Sequence, residues 1–111
     1  MKPIKNTSRK GDFAEYYAVT WLWDNGYEVF QNAGCSGPVD LIALKDNKTI
    51  LIDVKTLYAR GGDRITDWEA GTNLAPSHKR TKKQIKMGVQ LLTFNPHTRE
   101  LKFVEHVKWN Q

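Results

Sequence analysis

The sequence predicts an α/β domain, a mixed central sheet of about five strands flanked by helices in the order αβββαββ. Three observations predict it. One segment places apolar residues at the i, i+3, i+4 spacing of an amphipathic helix and a second opens on Pro76 and Ser77, five short segments are apolar or alternating, and Gly, Pro and Asn clusters separate them. At 111 residues, with 40% hydrophobic and 11% aromatic content, the chain can build one core, so a single domain over 1–111 is expected rather than two domains or disorder.

The first helix runs from Ser8 to about Asn25, where Ala14, Tyr17, Ala18, Trp21 and Leu22 form an apolar stripe and Gly26 is the expected stop. Tyr27 to Ala33 reads as a strand. Gly34, Ser36, Gly37 and Pro38 interrupt it before a second strand, Val39 to Lys45, and a third runs from Thr49 to about Leu57. Residues 58–75 hold adjacent glycines and no sustained periodicity. A loop this long is usually functional or disordered, which makes it a candidate substrate-binding flap. Pro76 and Ser77 open a second helix, to about Met87. Val89 to Phe94 and Leu101 to Val107 then flank a turn at Asn95-Pro96-His97-Thr98. In this order the central strands are expected to be covered on both faces.

Charge narrows the partners. The 17 Lys and Arg against 12 Asp and Glu leave a net charge of +5, which favours a polyanion without separating DNA, RNA and an acidic protein. The longest apolar runs, Leu41 to Leu44 and Ile50 to Ile52, fall far short of the ~20 residues of a membrane helix. Met1 to Lys10 lacks the apolar stretch of a secretory signal, and the lone Cys35 cannot close an internal disulfide. A cytoplasmic, reducing setting is the simplest expectation.

The second and third strands carry the informative residues. Only Asp46 and Asn47 separate Lys45 from Lys48, and a two-residue turn fixes the pairing: Leu44 opposite Thr49, Ile42 opposite Leu51, Asp40 opposite Asp53. Opposed side chains have Cβ atoms roughly 4.5–5.5 Å apart, where like charges repel. Both faces of this hairpin are mainly apolar, so acidic groups on it must take up a proton, find cations or hold a metal. Lys55 projects to the same side as Asp53, one ammonium for two carboxylates. All-oxygen ligands suit Mg²⁺ or Mn²⁺ rather than zinc. Glu15 lies on or beside the inward stripe of the first helix, with Ala18, Val19 and Leu22 at i+3, i+4 and i+7. On the second helix Thr81, Gln84, Ile85 and Gly88 share a spacing that turns Gln84 inward. Lys79, Lys82, Lys83 and Lys86 form a basic stripe suited to a phosphate backbone.

This set resembles the PD-(D/E)XK nuclease superfamily: Pro38-Val39-Asp40, a short hairpin, then Asp53-Val54-Lys55, with Glu15 on the preceding helix and Gln84 on the following one. It is most similar to the archaeal-type Holliday junction resolvases. That similarity rests on Lys10, Gly11 and Glu15, and on the turn Gly34-Cys35-Ser36-Gly37 leading into Asp40-Leu41-Ile42-Ala43. Two departures are an extra residue between Pro38 and Asp40, and Asp53 where many relatives carry Glu. The resemblance implies a restriction-endonuclease-like core and a homodimer that hydrolyses branched DNA with Mg²⁺ or Mn²⁺. It implies Asp40, Asp53 and the Val54 carbonyl as metal ligands, and Glu15 as a ligand of a second cation or of a metal-bound water. Lys55 would orient the attacking water or stabilise developing charge, and Gln84 would position the nucleophile or contact the scissile phosphate. Lys10, Ser36, Arg60, Arg64 and the stripe of Lys79, Lys82, Lys83 and Lys86 would hold the DNA backbone.

Each feature taken singly has an ordinary reading. Asp-x-Lys on a strand is common as a surface ion pair, Glu15 fits a solvated helix flank, Gln84 a capping amide, and a basic helix face plain solvation. Opposed Asp40 is what joins them. A sequence-specific or nicking endonuclease of restriction or homing type, and a non-catalytic DNA-binding module on the same fold, stay open as alternatives. Trp68 is the candidate for base stacking, whereas Trp21 and Trp109 suit core or dimer contacts. His78, His97 and His106 show no ligand spacing for zinc, and Cys35 reads as structural.

Overall fold

Asp46 and Asn47 both adopt left-handed conformations, with φ of 50° and 66°, as a two-residue hairpin turn of this kind requires. Asp and Asn tolerate that region better than other residues with a Cβ. The turn brings Lys45 opposite Lys48, and the pairing then proceeds through Leu44 and Thr49 and Ile42 and Leu51 to Leu41 and Ile52, as the turn length predicts. A computed structural model describes residues 7–34, 37–57 and 79–104, with side chains from residue 11 onward.

Around this hairpin the chain forms α1 (Thr7–Asp24), β1 (Glu28–Gln31), β2 (Leu41–Lys45), β3 (Lys48–Thr56), α2 (Lys82–Met87), β4 (Gln90–Phe94) and β5 (Leu101–Phe103). The five strands make one sheet in the order β1-β2-β3-β4-β5, antiparallel except for the parallel pair β3 and β4. This is the expected mixed sheet in the order αβββαββ.

Helix α1 covers one face of the sheet. Ala14, Ala18 and Leu22 are buried in one cluster with Leu41, Ala43, Ile52, Leu92 and Phe94. The stripe is narrower than its sequence suggests, since Tyr17 is 38% exposed and Trp21 is half-buried beside Phe103. Gly26, at φ 86°, ends the helix: its N–H donates to the Trp23 carbonyl and the Tyr27 N–H to the Leu22 carbonyl.

The opposite face departs from the expectation of full cover. Asp53, Leu91 and Thr93 are buried there, but Ile42 and Leu51 are only half-buried and Phe30 is 54% exposed. Among the described residues only the short α2 lies beyond that face, and it reaches the sheet through Gln84. Helix α2 also begins later than expected. Residues 79–81 are not helical, because the Thr81 hydroxyl accepts from the Gln84 N–H (3.1 Å) while Gln84 Oε1 accepts from the Thr81 N–H (3.0 Å). That reciprocal pair starts the helix at Lys82 rather than at Pro76 and Ser77. Residues 76–78 lie outside the described residues, as do Cys35, Ser36, the 58–75 loop and 105–111.

Strand ends shift for local reasons. Asn32 folds the chain after β1 by donating to the Val39 carbonyl and accepting from the Gly34 N–H. Buried Asn95 closes the β4–β5 turn by accepting from the N–H groups of His97 and Thr98. No helix among the described residues is long and apolar enough to cross a membrane.

Candidate metal and nucleic-acid site

Strand alternation puts Leu41, Ala43 and Ile52 against α1 and sends Asp40 and Asp53 to the other side. Asp40 directly precedes β2. Its N–H donates to the Ile52 carbonyl (2.8 Å), and its carboxylate Oδ2 accepts from the Val54 N–H (2.8 Å). The two carboxyls meet, and in the acid form Asp40 shares a hydrogen bond with Asp53. Burial first, then that bond and the charges of Asp53 and Glu15, push the Asp40 carboxyl up from 3.8 to about 7, against the Val54 N–H, which pulls it down.

Asp53 is buried, and its Oδ2 accepts from Gln84 Nε2 at 2.8 Å and lies 3.4 Å from Lys55 Nζ. Gln84 also donates to the Pro38 carbonyl (2.9 Å), so both Nε2 donors and Oε1 are engaged within the protein. The same residue also lines the cleft beside Asp53 and Lys55.

Glu15 completes the acidic group. Burial chiefly, then the neighbouring charges of Asp12 and Asp53, raise its carboxyl above the ordinary value. Together with Asp40, Asp53 and Lys55 it lines a cleft of about 520 Å³ whose other wall carries Lys79, Thr81 and Lys83. Gly11, Gly37 and Pro38 border the same cleft; spacing rules pick out none of the three for a site, and Gly11 is marked only by the Lys-Gly similarity.

The basic stripe divides in two. Lys79 lies before the cap and Lys83 beside Gln84, and both line the cleft; Lys82 and Lys86 are exposed and do not. The expected single stripe fails because the helix starts three residues after Lys79. Ile85, expected to face inward, is 40% exposed. Lys10 lies in α1 without a described side chain, and Ser36, Arg60, Arg64, Trp68 and Trp109 lie outside the described residues.

Among the described residues no three His, Cys, Asp or Glu side chains are grouped to hold one ion. The donor set that could hold a divalent cation is two carboxylates and a main-chain oxygen. Along a strand each residue presents its N–H and C=O on one edge, so Val54, whose N–H meets Asp40, turns its carbonyl to that same side, past the start of β2. These are hard oxygen donors on two adjoining carboxyls with the Lys55 ammonium beside one of them, which fits Mg²⁺ or Mn²⁺.

No protein-family model matches the chain, and no curated protein matches it in sequence. A bacterial homing endonuclease shares the fold. The solved structure of that protein, I-Ssp6803I, aligns with a TM-score of 0.57 at 14% identity, over 90% of this chain. This chain spans 65% of that structure's length. The likeness is one of architecture, and it agrees with the expected mixed α/β fold.

Proposed function

We propose that the chain is a metal-dependent endodeoxyribonuclease, selective for branched DNA in the manner of the Holliday junction resolvases and acting as a homodimer. The observation that carries this reading is the carboxyl pair Asp40 and Asp53, with Lys55 beside it, on the floor of a cleft walled by Lys79 and Lys83. An acidic floor under a basic wall suits a phosphodiester that must meet a cation.

Mg²⁺ or Mn²⁺ held by Asp40, Asp53 and the Val54 carbonyl would supply positive charge at the scissile phosphate and a more acidic water. The remaining work falls to the chain's own groups. Lys55, held 3.4 Å from Asp53 Oδ2, would orient the attacking water or stabilise the phosphoryl oxygen that gains charge. Glu15 would hold a second cation or a water of the first. Gln84 holds the Asp53 carboxylate through Oδ2. Lys79 and Lys83 grip flanking phosphates, which positions DNA without reading its bases. Two strands of a four-way junction call for two equivalent sites, which a two-fold dimer provides.

A second reading has its own support. The shared fold belongs to a homing endonuclease, which favours a sequence-specific or nicking enzyme on linear duplex. One gel separates them, comparing junction, flap, nicked and linear DNA with Mg²⁺ and with chelator. Cutting confined to branched DNA supports the first reading, and site-specific cutting of linear duplex the second. Equal turnover by the parent and Asp53→Ala would overturn the site, while salt-sensitive binding without any cleavage would leave a DNA-binding module.

A further inference from the structure

Gly11 lies inside α1, past its first turn, where glycine is the poorest residue after proline. Gly26, Gly37 and Gly88 take positive φ, and Gly34, outside any helix, would bring an added Cβ into ordinary contact with Asn32 Oδ1 at 3.4 Å. Gly11 has neither a positive φ nor, among the described residues, any heavy atom within 4 Å of an added Cβ. Packing and backbone geometry would both admit a side chain there.

The position is on the cleft. Gly11 sits one helical turn before Glu15, so the two share a face of α1, and both line the cleft across from Lys79 and Lys83. A side chain at residue 11 would project into the space between the two walls. The helix gives up stability here and gains open volume beside the acidic floor.

We propose that Gly11 is the point of closest approach between α1 and the sugar–phosphate backbone of the bound nucleic acid, the bare backbone atoms of the helix forming the wall against which one strand is seated. This rests on the nuclease reading of the same cleft. Lys79 and Lys83 draw the strand in from one side, and the missing side chain sets how deeply it sits over Asp40 and Asp53 from the other. The residue therefore determines substrate fit without contributing a charge or a hydrogen bond from a side chain.

Gly11→Ala and Gly11→Leu test this, since neither adds charge or a hydrogen-bonding group and both favour helix. The expected result is a rise in Tm of about 2–4 °C for the alanine variant. Affinity for a synthetic four-way junction and its cleavage rate in Mg²⁺ should meanwhile fall by on the order of 10-fold for alanine and 100-fold for leucine, as extra atoms crowd a filled site. The Tm increase that Mg²⁺ alone produces should match the parent's, showing the acidic floor intact. Variants that bind and cut as well as the parent overturn the inference while leaving the nuclease reading in place. So does a lowered Tm, or a lost response to Mg²⁺. A parent that neither binds nor cuts junction or duplex DNA overturns both.

Discussion

Replacing Asp40 by Asn should make the metal-free protein more stable and abolish the proposed DNA cleavage. In the folded chain the Asp40 carboxyl is held up to about 7 from 3.8, so the fold prefers its acid form. A folded-state value above the unfolded one means that this group's contribution is fully present below about pH 4 and is lost as pH rises through about 7. At about 1.36 kcal/mol per pH unit the gap would be worth ~4 kcal/mol, and because the carboxyl is partly open to solvent, screening leaves roughly half, ~2 kcal/mol. Asparagine removes the penalty of ionising. Its carbonyl still accepts from the Val54 N–H, and its amide donates to Asp53 where the acid proton stood. Thermal unfolding in chelator should show little gain at pH 4 and a gain of ~2 kcal/mol, about 8 °C, at pH 8. Added Mg²⁺ should stabilise the parent at pH 8 and leave the variant unmoved, and cleavage should vanish. A variant no more stable than the parent at pH 8, or equally advantaged at both pH values, would refute the reasoning.

Gln84→Leu removes the bonds to Asp53 and Pro38 and half of the cap on α2. Steady-state kinetics should show kcat down by on the order of 10²-fold with KM little changed, because the loss is one of aim. For the lysines, Lys79→Ala and Lys83→Ala should each flatten the dependence of log affinity on log salt by ~0.9 for duplex DNA. Lys82→Ala and Lys86→Ala, whose side chains do not line the cleft, should leave that slope alone. Gly88→Ala, at φ 77°, should cost about 1 kcal/mol in urea unfolding without altering the cleavage rate below the transition.

The carboxyl pair is legible in the sequence because its cause is local: two turn residues between Lys45 and Lys48 dictate who faces whom for the rest of the hairpin. The burial of Ala14, Ala18 and Leu22 follows in the same way from helical spacing. The start of α2 is harder. Pro76 and Ser77 carry an opening signal as good as Thr81 by residue type, and what decides between them is Gln84, three residues after Thr81, whose side chain closes the cap from the other side. That Thr-x-x-Gln pattern is present in the chain and would have split the lysines correctly. The exposure of Ile85 and Phe30 is not legible at all, since it depends on how little of the sheet's second face the short helix covers.

Asp46 and Asn47 take no part in the chemistry, yet the site depends on their number. They stand about five residue pairs from the carboxyls, some 17 Å at ~3.4 Å per residue. The loop behaves as a ruler. Exchanging either residue for glycine leaves the count intact, whereas inserting one more would slide one strand by a step and carry Asp40 to the greasy side under α1. Tolerance of swaps and intolerance of insertions at this remote tip is thus a signature by which a copy that keeps its paired carboxyls is told from one that has lost them.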